Sequence, residues 1–155
     1  MRNIVEGYWR TAFNFSALMQ PFIRPETLYC FRQTLQATGA IISGSTALQY
    51  LDRARYEHSD LDIFVNHFKC DIVSEWLLNQ GMKRVKNTSQ PTPDGTDDAD
   101  VYDAGETHHV EEYEVTYSEL PRRIQLIATS SDPVIAVLNF HSCTCVIIAM
   151  ILLDF

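Results

Sequence analysis

The sequence lacks the features that mark a secreted protein or a protein with a structural zinc site. Its first ten residues carry charged side chains and no apolar segment of the kind that directs secretion. Its four cysteines, at Cys30, Cys70, Cys143 and Cys145, form no C-x-x-C pair, so the usual spacing of a zinc knuckle is absent. We therefore expect an intracellular protein, cytoplasmic or nuclear, whose thiols are reduced and mostly buried.

Charged residues are also absent from 133–153, a stretch about as long as a bilayer-spanning helix. Polar side chains such as Asn139 and His141 fall near its middle, where they would be costly in lipid. A buried helix over 133–140 followed by an apolar segment over 145–153 explains the pattern more simply. We expect no membrane segment, and the membrane-spanning alternative stays open at this point.

Basic residues are missing from one long stretch of an acidic chain. The 155 residues carry a net charge of −8, and ten of the twenty carboxylates lie in 87–121, where Lys and Arg do not occur. The remainder holds twelve basic and ten acidic residues, a net charge of +2. The chain thus has no strong nucleic-acid signature, yet an anionic small molecule such as a nucleotide is compatible with it.

The length fits one domain of ordinary size. We divide the chain into an N-terminal arm, 1–25, and a domain, 26–155, that carries an acidic loop insert at 87–119. Alternating helix and strand patterns predict an α/β or α+β fold with a mixed β-sheet flanked by helices. The expected elements are helices over 26–38, 46–55, 71–80 (with Ile72 on its buried face) and from 133, and strands over 40–43, 60–65, 82–86, 113–117 and 124–129.

One stretch combines a turn with a pair of carboxylates. Gly44 and Ser45 lie between a predicted strand and a predicted helix, so the N–H groups that begin the helix can face a phosphate. Asp60 and Asp62 are two residues apart in a predicted strand, which places both side chains on one face. Paired carboxylates can share a hard cation such as Mg²⁺, which bridges triphosphate oxygens. The stretch therefore predicts a metal–nucleotide site.

Each feature alone has a simpler explanation. A Gly-Ser pair is usually only a turn, and Asp-x-Asp is usually a solvated strand end. Here strand, turn, helix and acidic strand follow one another in order, and Asp60 and Asp62 flank Leu61 and precede the apolar Ile63 and Phe64. Because unpaired charges are costly in apolar surroundings, the combination favours a functional role.

These residues resemble the nucleotidyltransferase fold of polymerase-β-type enzymes. The pattern of that family is an apolar strand, Gly-Ser, about a dozen residues and Asp-x-Asp, and here fourteen residues separate Ser45 from Asp60. The run 39–65 and the segment Arg-Arg-Ile-Gln-Leu-Ile at 122–127 are similar to nucleotidyltransferase-like proteins of fungi. The resemblance covers roughly 26–140, and the acidic insert matches poorly.

The resemblance implies a phosphate-holding turn at Gly44 and Ser45, and Mg²⁺ or Mn²⁺ held by Asp60 and Asp62 as the catalytic carboxylates. In active relatives a third carboxylate on a later strand helps to activate the attacking hydroxyl. The matching position here is Gln125. An amide carries no charge and accepts no proton at neutral pH, so this departure counts against transferase activity.

Other residues have two open interpretations. Glu112 and Glu114 share one face if 113–117 is a strand, and they either replace the missing carboxylate or form a solvent-facing acidic edge that discourages aggregation. The second interpretation is favoured. Arg122 and Arg123 either cap the sheet or contact phosphate, with no preference between the two.

Histidines offer further candidate ligands. His58 and the pair at 108–109 could touch a metal, but exposed loop histidines without a companion cysteine pattern are usually not ligands. His141, Cys143 and Cys145 are better explained as a packing cluster at a helix end than as a zinc site.

Two functions follow from these patterns. The first is a nucleotidyltransferase that binds a Mg²⁺–nucleoside triphosphate and transfers a nucleoside monophosphate to the hydroxyl of an acceptor that the sequence does not identify. The alternative is a catalytically inactive nucleotide-binding or protein-interaction module on the same fold. A third carboxylate near Asp60 and Asp62 in space would favour the enzyme.

Overall fold

The computed structural model describes residues 14–52, 56, 59–89, 107–118 and 120–139. The elements, in chain order, are helix α1 (Phe15–Met19), a 3₁₀ turn (Pro25–Thr27), α2 (Leu28–Thr38), β1 (Ile41–Ser43), α3 (Gly44–Asp52), β2 (Leu61–Asn66), a 3₁₀ turn (His67–Lys69), α4 (Cys70–Asn79), β3 (Lys83–Ser89), β4 (Thr107–Glu114), β5 (Arg123–Thr129) and α5 (Pro133–Asn139).

The five strands form one mixed sheet in the order β1-β2-β5-β4-β3. β2 and β5 are parallel, and the other neighbouring pairs are antiparallel. This sheet and its flanking helices confirm the predicted α+β fold class. The parallel pair matters most for the site, because it sets the acidic strand β2 directly beside the strand that carries Gln125.

The two faces of the sheet are packed differently. One face carries the main core, in which β2 and β5 residues such as Ile63 and Leu126 pack with α2 and α4 residues such as Phe31 and Leu77. On the other face, α5 packs over Phe64 and its neighbours in a smaller apolar cluster. Because side chains alternate along a strand, Asp62 and Gln125, each two residues before a member of the smaller cluster, share the face of that cluster, and both are polar.

The helix over 71–80 is confirmed with a shifted start, and its buried face was predicted wrongly at one position. α4 begins at Cys70, and its inward positions are Cys70, Val73 and Leu77, at the spacing of one helical stripe. Ile72 falls outside that stripe and is 53 % exposed. Trp76 is half-buried, with its ring centroid 5.2 Å from that of Phe31 on α2.

The prediction of an acidic loop over 87–119 is wrong for the residues that form β4 and for the end of β3. Tyr113 on β4 is fully buried, and its hydroxyl donates to Glu111 and accepts, over 2.7 Å, from the hydroxyl of Ser74 on α4. Arg84 on β3 lies 3.4 Å from the Glu111 carboxylate. Strand β4 is therefore an integral part of the sheet, and the strand predicted at 113–117 starts and ends earlier.

The predicted N-terminal arm also contributes to the core in its second half. Phe15 and Met19 of α1, and Phe22 and Ile23 after it, are buried among the main core residues. The hydroxyl of Tyr117 donates to the Phe22 carbonyl and fastens this segment to the end of β4. Residues 15–23 are thus not peripheral.

The predicted last helix is confirmed as α5, which starts at Pro133. None of the helices in the described part of the chain is long and apolar enough to cross a bilayer. The apolar segment predicted over 145–153 lies outside the described residues.

Candidate functional site

The chain makes a tight turn from β1 into α3 at Gly44. Ser43, the last residue of β1, lies opposite Asp62 on the antiparallel strand β2. Gly44 then adopts a φ of +72°, a left-handed conformation that glycine accepts without steric cost. Ser45 follows in the exposed first turn of α3. The predicted strand and helix are therefore present, but α3 begins at Gly44, two residues before the predicted start, so Gly44 and Ser45 are its first two residues.

The absent side chain of Gly44 makes room for the carboxylate of Asp62. A Cβ atom on Gly44 would overlap Oδ2 of Asp62 and crowd its Cγ. The carboxylate therefore lies directly against the start of α3, where the first N–H groups of a helix have no partner within the helix. This contact brings the predicted phosphate turn and one predicted metal ligand together in space.

Asp60 lies just before β2, two residues from Asp62. The hydroxyl of buried Thr46, in the first turn of α3, donates to the backbone carbonyl of Asp60 over 2.6 Å. A second link runs from Gln49 Nε2 on α3 to Ser59 Oγ, over 2.5 Å. Helix α3 is thus also hydrogen-bonded to residues 59–60, the segment that carries the Asp60 carboxylate.

The two carboxylates are held in an unfavourable electrostatic environment. Burial, followed by the negative charge of Asp60, raises the pKa of Asp62 to about 7. Burial also raises the pKa of Asp60, against the opposing effect of the Arg123 guanidinium. Two neighbouring acids with raised pKa values favour protons or another cation at this place.

Gln125 lies where the resemblance implied. In the parallel pairing of β2 with β5, Gln125 is the register partner of Asp62. On the far side of β5, Glu112 of β4 is in turn the partner of Gln125. Ser43, Asp62, Gln125 and Glu112 therefore form a row across four strands on one face of the sheet.

The two adjacent arginines have different surroundings. Arg123 is exposed, is the register partner of Glu114 and is the cation that most strongly lowers the pKa of Asp60. An open cavity beside it is lined by Val85, Glu112, Glu114 and Arg123. Arg122 instead places its guanidinium 5.9 Å from the ring centroid of Phe22. Both guanidinium groups lower the pKa of Asp60, and Arg123 is the stronger electrostatic partner of the site.

The histidines gather at another end of the sheet. His108 and His109 have their Nδ1 atoms 3.3 Å apart, and the ring of His108 stacks on that of His67. His109 Nε2 also lies 3.6 Å from the Sγ of Cys70. Within the described ranges, no group of three or more His, Cys, Asp or Glu side chains is arranged to hold a metal ion. His58, His141, Cys143 and Cys145 lie outside those ranges.

Asp60 and Asp62 supply two carboxylates, which fits one mode of cation binding. Mg²⁺ in proteins commonly takes one or two carboxylates and completes its six ligands with water and substrate phosphates. The pair is therefore suited to a cation that arrives with a nucleotide rather than to one caged by protein alone. The start of α3 lies beside the pair and suits an anionic group.

The cluster in which exposed Arg84 contacts the buried residues Glu111, Tyr113 and Ser74 was missed by the sequence analysis. Glu111 stands in the most acidic stretch, and nothing in its local pattern separates it from its exposed neighbours. The one available signal was the alternation of His109, Glu111 and Tyr113 on one face of a strand. The cluster ties β4 to α4 and faces away from Asp62.

Replacement of Gly44 by alanine tests the contact with Asp62. Gly44→Ala should reduce the free energy of unfolding more than Gly39→Ala, because both glycines have φ near +70° but only a Cβ at Gly44 meets another group. The conformational cost common to both is about 1–2 kcal/mol. In an Asp62→Ala background the excess cost of Gly44→Ala should largely disappear. Urea unfolding measures all four variants, and equal costs at the two glycines would contradict the described contact.

Removal of the Asp62 charge should stabilise the cation-free protein at neutral pH. The folded pKa of about 7 lies above the unfolded value of 3.8, so the folded state binds the proton more tightly and stability falls as pH rises between them. Asp62→Asn should therefore match the parent near pH 4 and exceed it by a few kcal/mol above pH 7. Urea unfolding with chelator at both pH values measures this. Glu75→Gln on the exposed side of α4 is the control, and a pH-independent difference at Asp62 would refute the argument.

Comparison with known proteins does not assign a function to this site. No protein-family model, no curated protein and no solved structure matches the chain. The function of the site must therefore be inferred from its own residues.

Proposed function

We propose that this chain binds a Mg²⁺–nucleoside triphosphate where α3 begins beside β2, and that it transfers a nucleoside monophosphate to an acceptor hydroxyl. The observation that carries the proposal is the contact of the Asp62 carboxylate with Gly44 at the start of α3. It joins a cation ligand and a phosphate-binding turn in one place. The resemblance of 39–65 to polymerase-β-type nucleotidyltransferases supports the same function.

The proposal assigns one role to the two residues of the turn, a second to the two aspartates and a third to Arg123. The N–H groups at Gly44 and Ser45 bind the β- and γ-phosphates, since the start of a helix favours anions. Asp60 and Asp62 hold the cation, Mg²⁺ or Mn²⁺, which when bound neutralises charge on the phosphates. Arg123, close enough to Asp60 to lower its pKa, adds a positive charge at the same edge. We also infer an intracellular location, where nucleoside triphosphates are available.

A second candidate function has one observation in its favour. Gln125, directly beside Asp62, is an amide at the position where the resemblance implies a carboxylate. A module that binds a nucleotide or a protein partner without catalysis would keep the turn and the two aspartates. The two functions share nucleotide binding and differ in the release of pyrophosphate.

Cation-dependent nucleotide binding is the expected behaviour. Each of ATP, GTP, CTP and UTP is titrated by calorimetry into the protein with Mg²⁺ and with chelator. At least one should bind at least tenfold more tightly with Mg²⁺, because the cation screens the phosphates from the two aspartates. Asp60→Asn with Asp62→Asn should abolish that difference, whereas Glu75→Gln should keep it. Equal binding with and without chelator in the parent would refute the proposed site.

A further inference from the structure

Strand β4, which pairs with the strand of Gln125, carries the carboxylate of Glu112 on the same face of the sheet as Asp62. Glu112 on β4 is the register partner of Gln125, which is itself the partner of Asp62. Residues directly opposite one another in a sheet point to the same face. Glu112, Gln125 and Asp62 therefore lie in one line across three strands, on the same face of the sheet as α5.

Glu112 does not belong to an acidic sheet edge. β3 is hydrogen-bonded to the outer side of β4, so β4 is an interior strand of the sheet. Edge protection, the explanation favoured on sequence grounds, requires an edge strand. Glu112 is also half-buried, whereas Glu114 on the same face is exposed and opposite Arg123.

Two further observations connect Glu112 with the candidate site. Burial is the main cause that raises the pKa of Asp60, and the negative charge of Glu112 adds to it, so the two carboxylates interact across β5. Glu112 also lines the open cavity that has Arg123 in its wall. Its carboxylate thus borders an open space between side chains of β3, β4 and β5, which a second substrate can enter.

The distance between strands decides whether Glu112 can bind the same cation as Asp62 or can act only on a second substrate. Neighbouring strands lie about 4.8 Å apart, so the backbones at Asp62 and Glu112 are roughly 10 Å apart. Oxygens that share one Mg²⁺ must each lie about 2.1 Å from it, which side chains rising in parallel from that separation do not satisfy. The space between the carboxylates of Asp62 and Glu112 spans the width of β5, above Gln125. It admits a hydroxyl group or a water molecule.

We propose that Glu112 is the general base of the transfer reaction, an inference that rests on the proposed function above. The carboxylate accepts the proton of an acceptor hydroxyl held above Gln125. The hydroxyl oxygen forms a bond to the α-phosphorus, and the bond from that phosphorus to the bridging oxygen of pyrophosphate breaks. Pyrophosphate leaves with the electron pair. The uncharged amide of Gln125 can hydrogen-bond the acceptor without competing for its proton.

The experiment uses water as the acceptor and pyrophosphate as the product. The intact chain is incubated with Mg²⁺ and the nucleoside triphosphate that binds most tightly, and single-turnover pyrophosphate release is measured together with the dissociation constant of the nucleotide. Glu112→Gln should lower the release rate by about 10² to 10⁴-fold, the usual contribution of a general base, with the dissociation constant changed less than twofold. Glu112→Asp should restore part of the rate.

Glu75→Gln is the control, since it removes one carboxylate charge from the exposed side of α4, away from the cavity that Glu112 and Glu114 line. It should leave the release rate within about twofold of the parent, and equal melting temperatures of both variants should show that the fold is unchanged. An undiminished rate in Glu112→Gln, or an equal loss in both variants, would overturn the assignment. So would a parent that binds nucleotide and releases no pyrophosphate. A parent that binds no nucleotide would instead overturn the proposed function, and this inference with it.

Discussion

The close approach of the Asp62 carboxylate to Gly44 is the constraint on which the site depends. It requires a residue without a Cβ at the turn, a left-handed φ there and an acid on the facing strand, all at once. It also forces the Asp62 carboxylate into a desolvated position near Asp60, and burial followed by the charge of Asp60 raises the pKa of Asp62 to about 7. A fold selected for stability alone would have little reason to keep such a pair.

The arrangement of the helices leaves this pair accessible. α2 and α4 pack with other segments on one face of the sheet, while in the described part of the chain α5 packs on the other face over Phe64 and Ile127. The rest of that second face carries Asp62, Gln125 and Glu112 in register. Polar side chains therefore line up where no helix of the described chain packs over them, beside the start of α3.

The sequence predicted the local parts of this site and missed those that depend on long-range pairing. Gly44, Ser45, Asp60 and Asp62 were identified because turn chemistry and strand alternation are properties of short segments. Strand β4 was largely read as loop, since its burial depends on pairing with β3 and β5 and on the contact of Tyr113 with α4. The exposure of Ile72 was missed for a similar reason, because the packing of α4 selects which helical stripe is buried.

The most direct test of the account is the position of a bound cation. Crystals grown with Mn²⁺ and a non-hydrolysable nucleoside triphosphate would locate the ion by its anomalous scattering. The account predicts a peak within about 2.2 Å of one carboxylate oxygen of Asp60 and one of Asp62, with phosphate oxygens completing its ligands at the start of α3. A nucleotide bound without such a peak, or a peak at the histidines of β4 instead, would contradict it.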